Sequence, residues 1–123
     1  MNAESLARGI YQNPDTHLRD LRGLEYDLLA RCTSALRAGS RDGVPFASLA
    51  RALDMNMRLW TAFAADLADP GNTLPSELRA RLFYLYEFTV HHSRLVLDGQ
   101  AAAEALVEIN TSVMRGLRGV AVE

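Results

Sequence analysis

The chain has 123 residues and a mass of 13.6 kDa, the size of one ordinary domain, which excludes a two-domain enzyme. Apolar residues make up 49% of it, enough for a hydrophobic core, and Leu and Ala far outnumber the β-branched Ile and Val. Because Ala and Leu favour helix, this composition excludes an all-β fold. We expect a single helical domain over residues 1–123, with an ordered core over about 14–118.

Charge and cysteine content narrow the function classes. Thirteen basic and fifteen acidic residues give a net charge of −2, without the basic stripe of a nucleic-acid-binding domain. Cys32 is the only cysteine, so no internal disulfide forms, which favours a reducing compartment. No apolar run is long enough to span a membrane, and the start MNAESLARG lacks the pattern of a secretory signal. We expect a soluble cytoplasmic protein with no direct nucleic-acid or membrane contact.

The first predicted helix opens at Asn13-Pro14, because Asn is a favourable N-cap and Pro loses no hydrogen bond at the first helical position. Apolar residues then recur every three or four positions. Cys32 lies on this stripe, and we interpret it as a core residue. The turn formers at 39–43 end the helix. The sequence also allows a short extra helix near residues 4–8.

The second predicted helix starts at Pro45 and ends at a turn over about 69–74, where Asp-Pro-Gly-Asn is a strong turn sequence. Its apolar residues repeat at intervals of three and four, which predicts that they face the core. Trp60 belongs to this series, so we expect it to pack inside the domain. The series contains Phe46, Leu49, Leu53, Met57, Trp60, Ala64 and Leu67.

The third predicted helix begins at Pro75, and its apolar side includes Leu78, Leu82 and Leu97. A turn over about 98–100, with Gly99 as the terminating residue, follows it. The fourth helix runs from about Ala101 to Leu117 and frays after Gly116 and Gly119. Short connections between long amphipathic helices favour antiparallel neighbours, so the predicted fold is all-α, an antiparallel bundle of four main helices.

Residues that carry chemistry do not form a reactive group in this sequence. His91 and His92 are adjacent, so on a helix they point about 100° apart and cannot chelate one ion together. Glu104 and Glu108 share a face of the last helix, which we expect to point to water. The chain has no phosphate loop, nucleophile elbow or zinc spacing. We predict no catalytic residue, no metal and no cofactor, hence a protein that is not an enzyme.

Aromatic and polar residues offer candidates for partner binding. Four consecutive large apolar residues, 83–86, circle a helix, so they cannot all face inward. Tyr86 follows the apolar stripe, which leaves Tyr84 facing outward as the predicted contact residue. Asn56 and Asn110 lie beside apolar stripes, where Asn is unfavourable unless it is paired. Either they form a structural hydrogen bond or they contact the backbone of a partner.

Several stretches resemble the family of the flagellar biosynthesis regulator FlaF. They are Asn56-Met57-Arg58-Leu59-Trp60, Asp66-Leu67-Ala68 and Asn72-Thr73-Leu74-Pro75, followed by 106–110 and Met114-Arg115-Gly116-Leu117. The resemblance covers about residues 10–118, nearly the whole chain. It marks a set of structural motif residues, which are Trp60, Asp66, Asn72, Leu74, Pro75, Gly116 and Leu117.

The resemblance implies a non-enzymatic cytoplasmic protein needed for flagellin synthesis and export. Members of the family are associated with flagellin and oppose FlbT, a repressor of flagellin mRNA translation. The first hypothesis is therefore a chaperone that binds flagellin. The alternative is a post-transcriptional regulator that acts through FlbT or flagellin mRNA. A third hypothesis is a structural homodimer that buries the aromatic ring around Tyr84 against a second copy.

Overall fold

The computed structural model describes the backbone of residues 14–122 and the side chains of residues 26–116. Within residues 14–122 the chain forms four α-helices and no strand, which confirms the predicted all-α class. The helix proposed near residues 4–8 lies outside the described residues, and Leu117 lies outside the range of described side chains. The helices are α1 (Pro14–Gly39), α2 (Phe46–Ala68), α3 (Ser76–Leu97) and α4 (Glu104–Val122).

The turn between α1 and α2 combines hydrogen bonding with a close helix contact. The backbone amide and the Oγ of Ser40 both donate to the carbonyl oxygen of Leu36, at 3.1 and 2.6 Å. Gly43 adopts a φ of +83°, a conformation that favours glycine. Gly39 has a different role, because a Cβ at this position would lie 2.8 Å from the Cα of Leu49 on α2. Glycine at 39 therefore permits the close approach of α1 and α2.

The loop between α2 and α3 is held by two side chains. Asn72 donates through Nδ2 to the carbonyl oxygen of Asp66 at 3.1 Å and accepts through Oδ1 from the amide of Leu74 at 3.0 Å. The Oδ1 of Asp69 accepts from the amide of Gly71 at 2.8 Å. Asn and Asp side chains that bond the backbone two residues later are typical of turns. The predicted turn over 69–74 therefore exists, and Asn72 also caps the end of α2.

The end of α3 is a Schellman motif. The amide of Gln100 donates to the carbonyl oxygen of Leu95 at 2.8 Å, and the amide of Gly99 donates to that of Val96 at 3.0 Å. Gly99 adopts a φ of +74°, the left-handed conformation that this motif requires. Gly99 therefore terminates α3, as its position in the sequence predicts.

Helix boundaries differ from the prediction in four places. Pro45 and Pro75 are the residues before the first helical residue rather than the first helical residues themselves. Helix α4 begins at Glu104 instead of about Ala101, because the hydrogen bonds of its first turn are accepted by the carbonyl oxygen of Ala103. Its helical geometry continues through Gly116 to Val122, so it does not end where the glycines suggested.

The core consists of two apolar clusters along the bundle. Helix α1 packs against α2 and α4, α2 also packs against α3, and the contact between α3 and α4 is the smallest of these. Cys32 is buried, as predicted, and burial raises the pKa of its thiol. The first cluster contains Leu36, Ala52, Leu53, Val96, Ala103 and Leu106, and the second contains Leu29, Trp60, Leu67, Leu82 and Val113.

Among the described side chains, every helix carries one or two that are buried and polar, and they lie in sequence between its residues of the first cluster and its residues of the second. We call this set the polar layer. It consists of Thr33 on α1, Asn56 on α2, Thr89 and Ser93 on α3, and Asn110 on α4.

Three residues that the spacing places on the core stripes are exposed. Phe46 is 56% exposed, Leu97 is 45% exposed and Leu78 is 37% exposed. Phe46 is the first residue of α2, Leu97 is the last residue of α3, and Leu78 is in the first turn of α3. At helix ends the neighbouring helices no longer cover the stripe, so correct periodicity does not ensure burial there.

Candidate partner-binding surface on α3

Trp60 lies inside the bundle, in a chain of hydrogen bonds with the two asparagines of the polar layer. Its side chain is 0% exposed, and its Nε1 donates to the Oδ1 of Asn110 at 2.9 Å. The Nδ2 of Asn110 in turn donates to the Oδ1 of Asn56 at 2.9 Å. This chain joins α2 to α4 through side chains alone. The core position predicted for Trp60 is the one that the structure shows.

Asn56 and Asn110, both considered as partner-contact residues, lie in the core. Each is 0% exposed. A buried amide needs a hydrogen-bond partner, and here the Nδ2 of Asn110 donates to the Oδ1 of Asn56. Of the two interpretations left open by the sequence, the structural hydrogen bond is therefore the one present. Neither side chain reaches the surface in this conformation.

The aromatic residues of α3 divide between core and surface. Tyr84 is 67% exposed, whereas Tyr86 is half-buried and packs against the second apolar cluster. Phe83 is partly exposed and makes an edge contact with Tyr86, with ring centroids 5.6 Å apart. The opposite orientations predicted for Tyr84 and Tyr86 are thus observed.

A shallow apolar groove of about 500 Å³ runs along α3 beside Tyr84. The residues that line it are spaced by three and four, so they share one face of the helix. Phe88, which is 36% exposed, continues the same face one turn later. We call this surface the α3 stripe, and it consists of Glu77, Ala80, Arg81, Tyr84, Leu85 and Phe88.

The charged residues of the α3 stripe lie at one end, and the aromatic residues lie at the other. Glu77 and Arg81 are in the first two turns of α3, ahead of Tyr84 and Phe88. The ring of Phe88 stacks on His92, with centroids 5.4 Å apart. The Nε2 of His92 donates to the carbonyl oxygen of Ala102 at 2.8 Å, and this bond fixes the end of the stripe to the loop that follows.

A second shallow groove, of about 530 Å³, lies beside the α1–α2 turn and is more polar than the first. Arg41 and Arg51 are among the residues that line it. It contains no aromatic residue, in contrast to the α3 stripe. Buried aromatic anchors contribute most of the binding energy in protein interfaces. The α3 stripe is therefore the better candidate for a partner-binding surface.

The residues considered for chemistry are dispersed. Glu104, Glu108 and His91 are exposed, and His92 is engaged with Ala102. Among the residues that the structure describes, no cluster of three or more His, Cys, Asp or Glu side chains has the geometry of a metal site. In the same part of the chain, every helix is too short or too polar to cross a lipid bilayer.

The family-motif residues Asn72 and Leu74 lie in the α2–α3 loop, and Asp66, near the end of α2, accepts a hydrogen bond from Asn72 through its backbone carbonyl. Burial raises the pKa of the Asp66 carboxyl, and the nearby charge of Asp69 adds to this shift. The Leu74 side chain packs against the second apolar cluster. Gly116, on α4, is exposed, and a Cβ there would meet no atom within 4 Å.

Four helices, two apolar clusters and an exposed aromatic surface define a small all-α bundle protein. The family model of the flagellar protein FlaF matches residues 7–117 of the 123-residue chain. The chain therefore belongs to the FlaF family of flagellar proteins. Neither a curated protein nor a solved structure matches it significantly.

The sequence-based search missed part of this surface and part of the core. Phe88 extends the stripe beyond Tyr84, and its spacing of four residues from Tyr84 was the available signal. Thr89 and Ser93 were not considered, although they are four residues apart and lie on the same side of the helix as Leu82. Polar residues on a predicted core face were the signal for the polar layer.

Proposed function

We propose that this protein binds flagellin monomers as a non-enzymatic cytoplasmic chaperone and thereby promotes flagellin synthesis and export. Membership of the FlaF family supports a flagellar role. The observation that carries the proposal is the α3 stripe, because it presents Tyr84 to solvent beside apolar neighbours on the same face. An exposed apolar surface of this kind is typical of a site for another chain.

The geometry of the α3 stripe suits a partner helix. Amphipathic helices dock on apolar surfaces through anchors spaced by three, four and seven residues, and the stripe has this spacing. Tyr84 is the central residue of the stripe, and Tyr is enriched among residues that dominate binding energy. In this proposal a terminal helical segment of flagellin lies along α3, with Tyr84 and Phe88 as anchors.

The test is a titration of the purified protein with monomeric flagellin by calorimetry at physiological salt. Tyr84→Ala is the diagnostic variant, and Phe46→Ala is its matched control. Phe46 is also an exposed aromatic residue on a helix, but it lies at the start of α2. The proposal expects Tyr84→Ala to weaken binding and Phe46→Ala to leave it unchanged. Equal affinities for the two variants would remove the α3 stripe from the proposal.

The same titration with FlbT and with flagellin mRNA tests the alternative function. Tight binding of either one, together with no binding of flagellin, would replace the chaperone by a post-transcriptional regulator. The net charge of −2 counts against direct contact with RNA but not against contact with FlbT. Light scattering measures the molar mass of the free protein and so tests the homodimer. If the protein is a homodimer that buries Tyr84, the Tyr84→Ala variant should be a monomer.

A further inference from the structure

Buried polar atoms without a hydrogen-bond partner are concentrated on α3. Among the described residues, four buried side-chain nitrogen or oxygen atoms lack a protein partner. Three of them are on α3, namely Arg79 Nε, Thr89 Oγ1 and Ser93 Oγ, and the fourth is Asn56 Nδ2 on α2. Buried polar groups are normally paired, and an unpaired one destabilises the packed state.

Each polar-layer residue on α1, α2 and α4 makes at least one side-chain hydrogen bond, whereas the two on α3 make none. On α1, the hydroxyl of Thr33 donates to the carbonyl oxygen of Leu29 at 2.7 Å. On α2 and α4, Asn56 and Asn110 share a hydrogen bond. Thr89 and Ser93 on α3 are buried to the same degree but make no such bond. In the part of the chain with described side chains, α3 makes no side-chain hydrogen bond to another helix.

Helix α3 also contributes little apolar surface to the core. Only two of its four buried residues are apolar, Leu82 and Val96, whereas α2 buries five apolar residues and one asparagine. Its contact with α4 is the smallest between neighbouring helices. Because the stability of a packed helix depends mainly on apolar burial, α3 is attached to the bundle less strongly than α2, the other helix whose side chains are all described.

We infer that α3 is the opening element of the bundle and separates from it as a unit at a lower free energy than global unfolding requires. When α3 opens, Thr89, Ser93 and Asn56 regain hydrogen bonds to water, which offsets the lost apolar contacts. Opening exposes the parts of the two apolar clusters that Val96 and Leu82 of α3 cover in the closed bundle. A partner's amphipathic helix then binds a larger apolar groove than the closed bundle offers, a step that rests on the proposed function.

The first experiment is native-state hydrogen exchange of the full chain, followed residue by residue. Amides in the middle of α3, at 86–94, are expected to exchange about tenfold or more faster than those in the middle of α2, at 53–61. Segments that open below the global unfolding free energy show such faster exchange. Equal rates in the two segments would overturn the inference.

The second experiment removes the two unpaired hydroxyls in the double variant Thr89→Val/Ser93→Ala. This variant is expected to slow exchange in α3 by about tenfold, because the packed state no longer buries unpaired groups. The matched control is Thr33→Val, which removes a paired hydroxyl of the same layer and should not slow exchange in α3. Unchanged or faster α3 exchange in the double variant would show that the hydroxyls are satisfied, and this would overturn the inference.

The third experiment titrates the double variant with monomeric flagellin. If flagellin binds the open form, a tenfold smaller open population lowers the apparent affinity by about tenfold. Unchanged affinity with slower α3 exchange would reject opening as the route of binding, while the exchange result would stand. Failure of the unmodified protein to bind flagellin would overturn the proposed function but not the opening of α3, so the two failures are distinguishable.

Discussion

Trp60 on α2 and Tyr84 on α3 are both large aromatic residues in the middle of a helix, yet they have opposite surroundings. Trp60 is 0% exposed and hydrogen-bonded to Asn110, whereas Tyr84 is 67% exposed and lies on an apolar surface stripe. The difference in exposure depends on where each ring lies relative to the core stripe of its helix. It does not depend on the residue type, since both residues are large and aromatic. One aromatic residue stabilises the bundle, and the other is available to a partner.

The largest effect is expected from Trp60→Ala. Removal of this fully buried ring should lower the free energy of unfolding by about 3–5 kcal/mol, because a cavity remains and Asn110 loses a hydrogen bond. Urea denaturation followed by circular dichroism measures the change. The loss of flagellin binding should match the fraction of the protein that is unfolded. A stable Trp60→Ala protein that fails to bind would show that Trp60, rather than Tyr84, is the contact residue.

The next effect concerns the hydrogen bonds that hold Trp60 in place. Asn110→Ala leaves the Nε1 of Trp60 and the Oδ1 of Asn56 unpaired in the core, and should lower the free energy of unfolding by about 2 kcal/mol. Since Trp60 is the only tryptophan, its emission reports the changed environment directly.

A suitable control for Asn110→Ala is Thr111→Ala on the adjacent position of α4. Its hydroxyl bonds only to the carbonyl oxygen of Val107 within its own helix, at 2.7 Å. The control should therefore cost less stability and leave the Trp60 emission unchanged. An equally small cost for both variants would mean that the network contributes nothing to the packing of Trp60.

Tyr84→Ala is expected to act on binding rather than on stability. An exposed side chain contributes little to folding, so its Tm should shift by about 2 °C or less. Loss of a central aromatic anchor should weaken flagellin binding by about tenfold or more. Thermal melts and calorimetric titrations of Tyr84→Ala and Trp60→Ala together test the comparison. A large loss of stability in Tyr84→Ala would show that its ring supports the bundle.

The smallest effect concerns Asp66, whose carboxyl pKa is raised by burial and by the charge of Asp69. A raised folded-state pKa means that the folded chain holds this proton more tightly than the unfolded chain does. The ionised carboxyl therefore opposes folding at neutral pH, and this penalty disappears as the pH falls below the ordinary range of an aspartate. Its position near the end of α2, where the helix dipole disfavours negative charge, acts in the same direction.

Asp66→Asn should accordingly raise Tm at pH 7 by about 2 °C or less, and the gain should vanish at low pH. The backbone carbonyl of residue 66, which accepts from Asn72, is unchanged by this substitution. Asp27→Asn, at an exposed position of α1, serves as the control. A gain in Tm that persists at low pH would show that the ionisation of the Asp66 carboxyl is not its cause.

Local features of the fold were predictable because their causes lie within a few residues. Gly99 ends α3, and Asn72 holds the turn after α2, through hydrogen bonds that span no more than six residues. The orientations of Tyr84 and Tyr86 follow from helical spacing alone. Helix ends were less predictable, since α4 begins at Glu104 and since Phe46, on the stripe by spacing, is exposed.

Periodicity and capping are local, so the amino-acid sequence alone predicts four helices, their connecting turns and the side of each helix that faces inward. The pairing of Asn110 with Asn56, a partner 54 positions away, and the burial of both side chains depend instead on how the helices pack. Tertiary contact also made Gly39 a packing residue against Leu49 rather than a turn former alone. Such pairings depend on which helices become neighbours and in what register, and no short stretch of sequence encodes that choice.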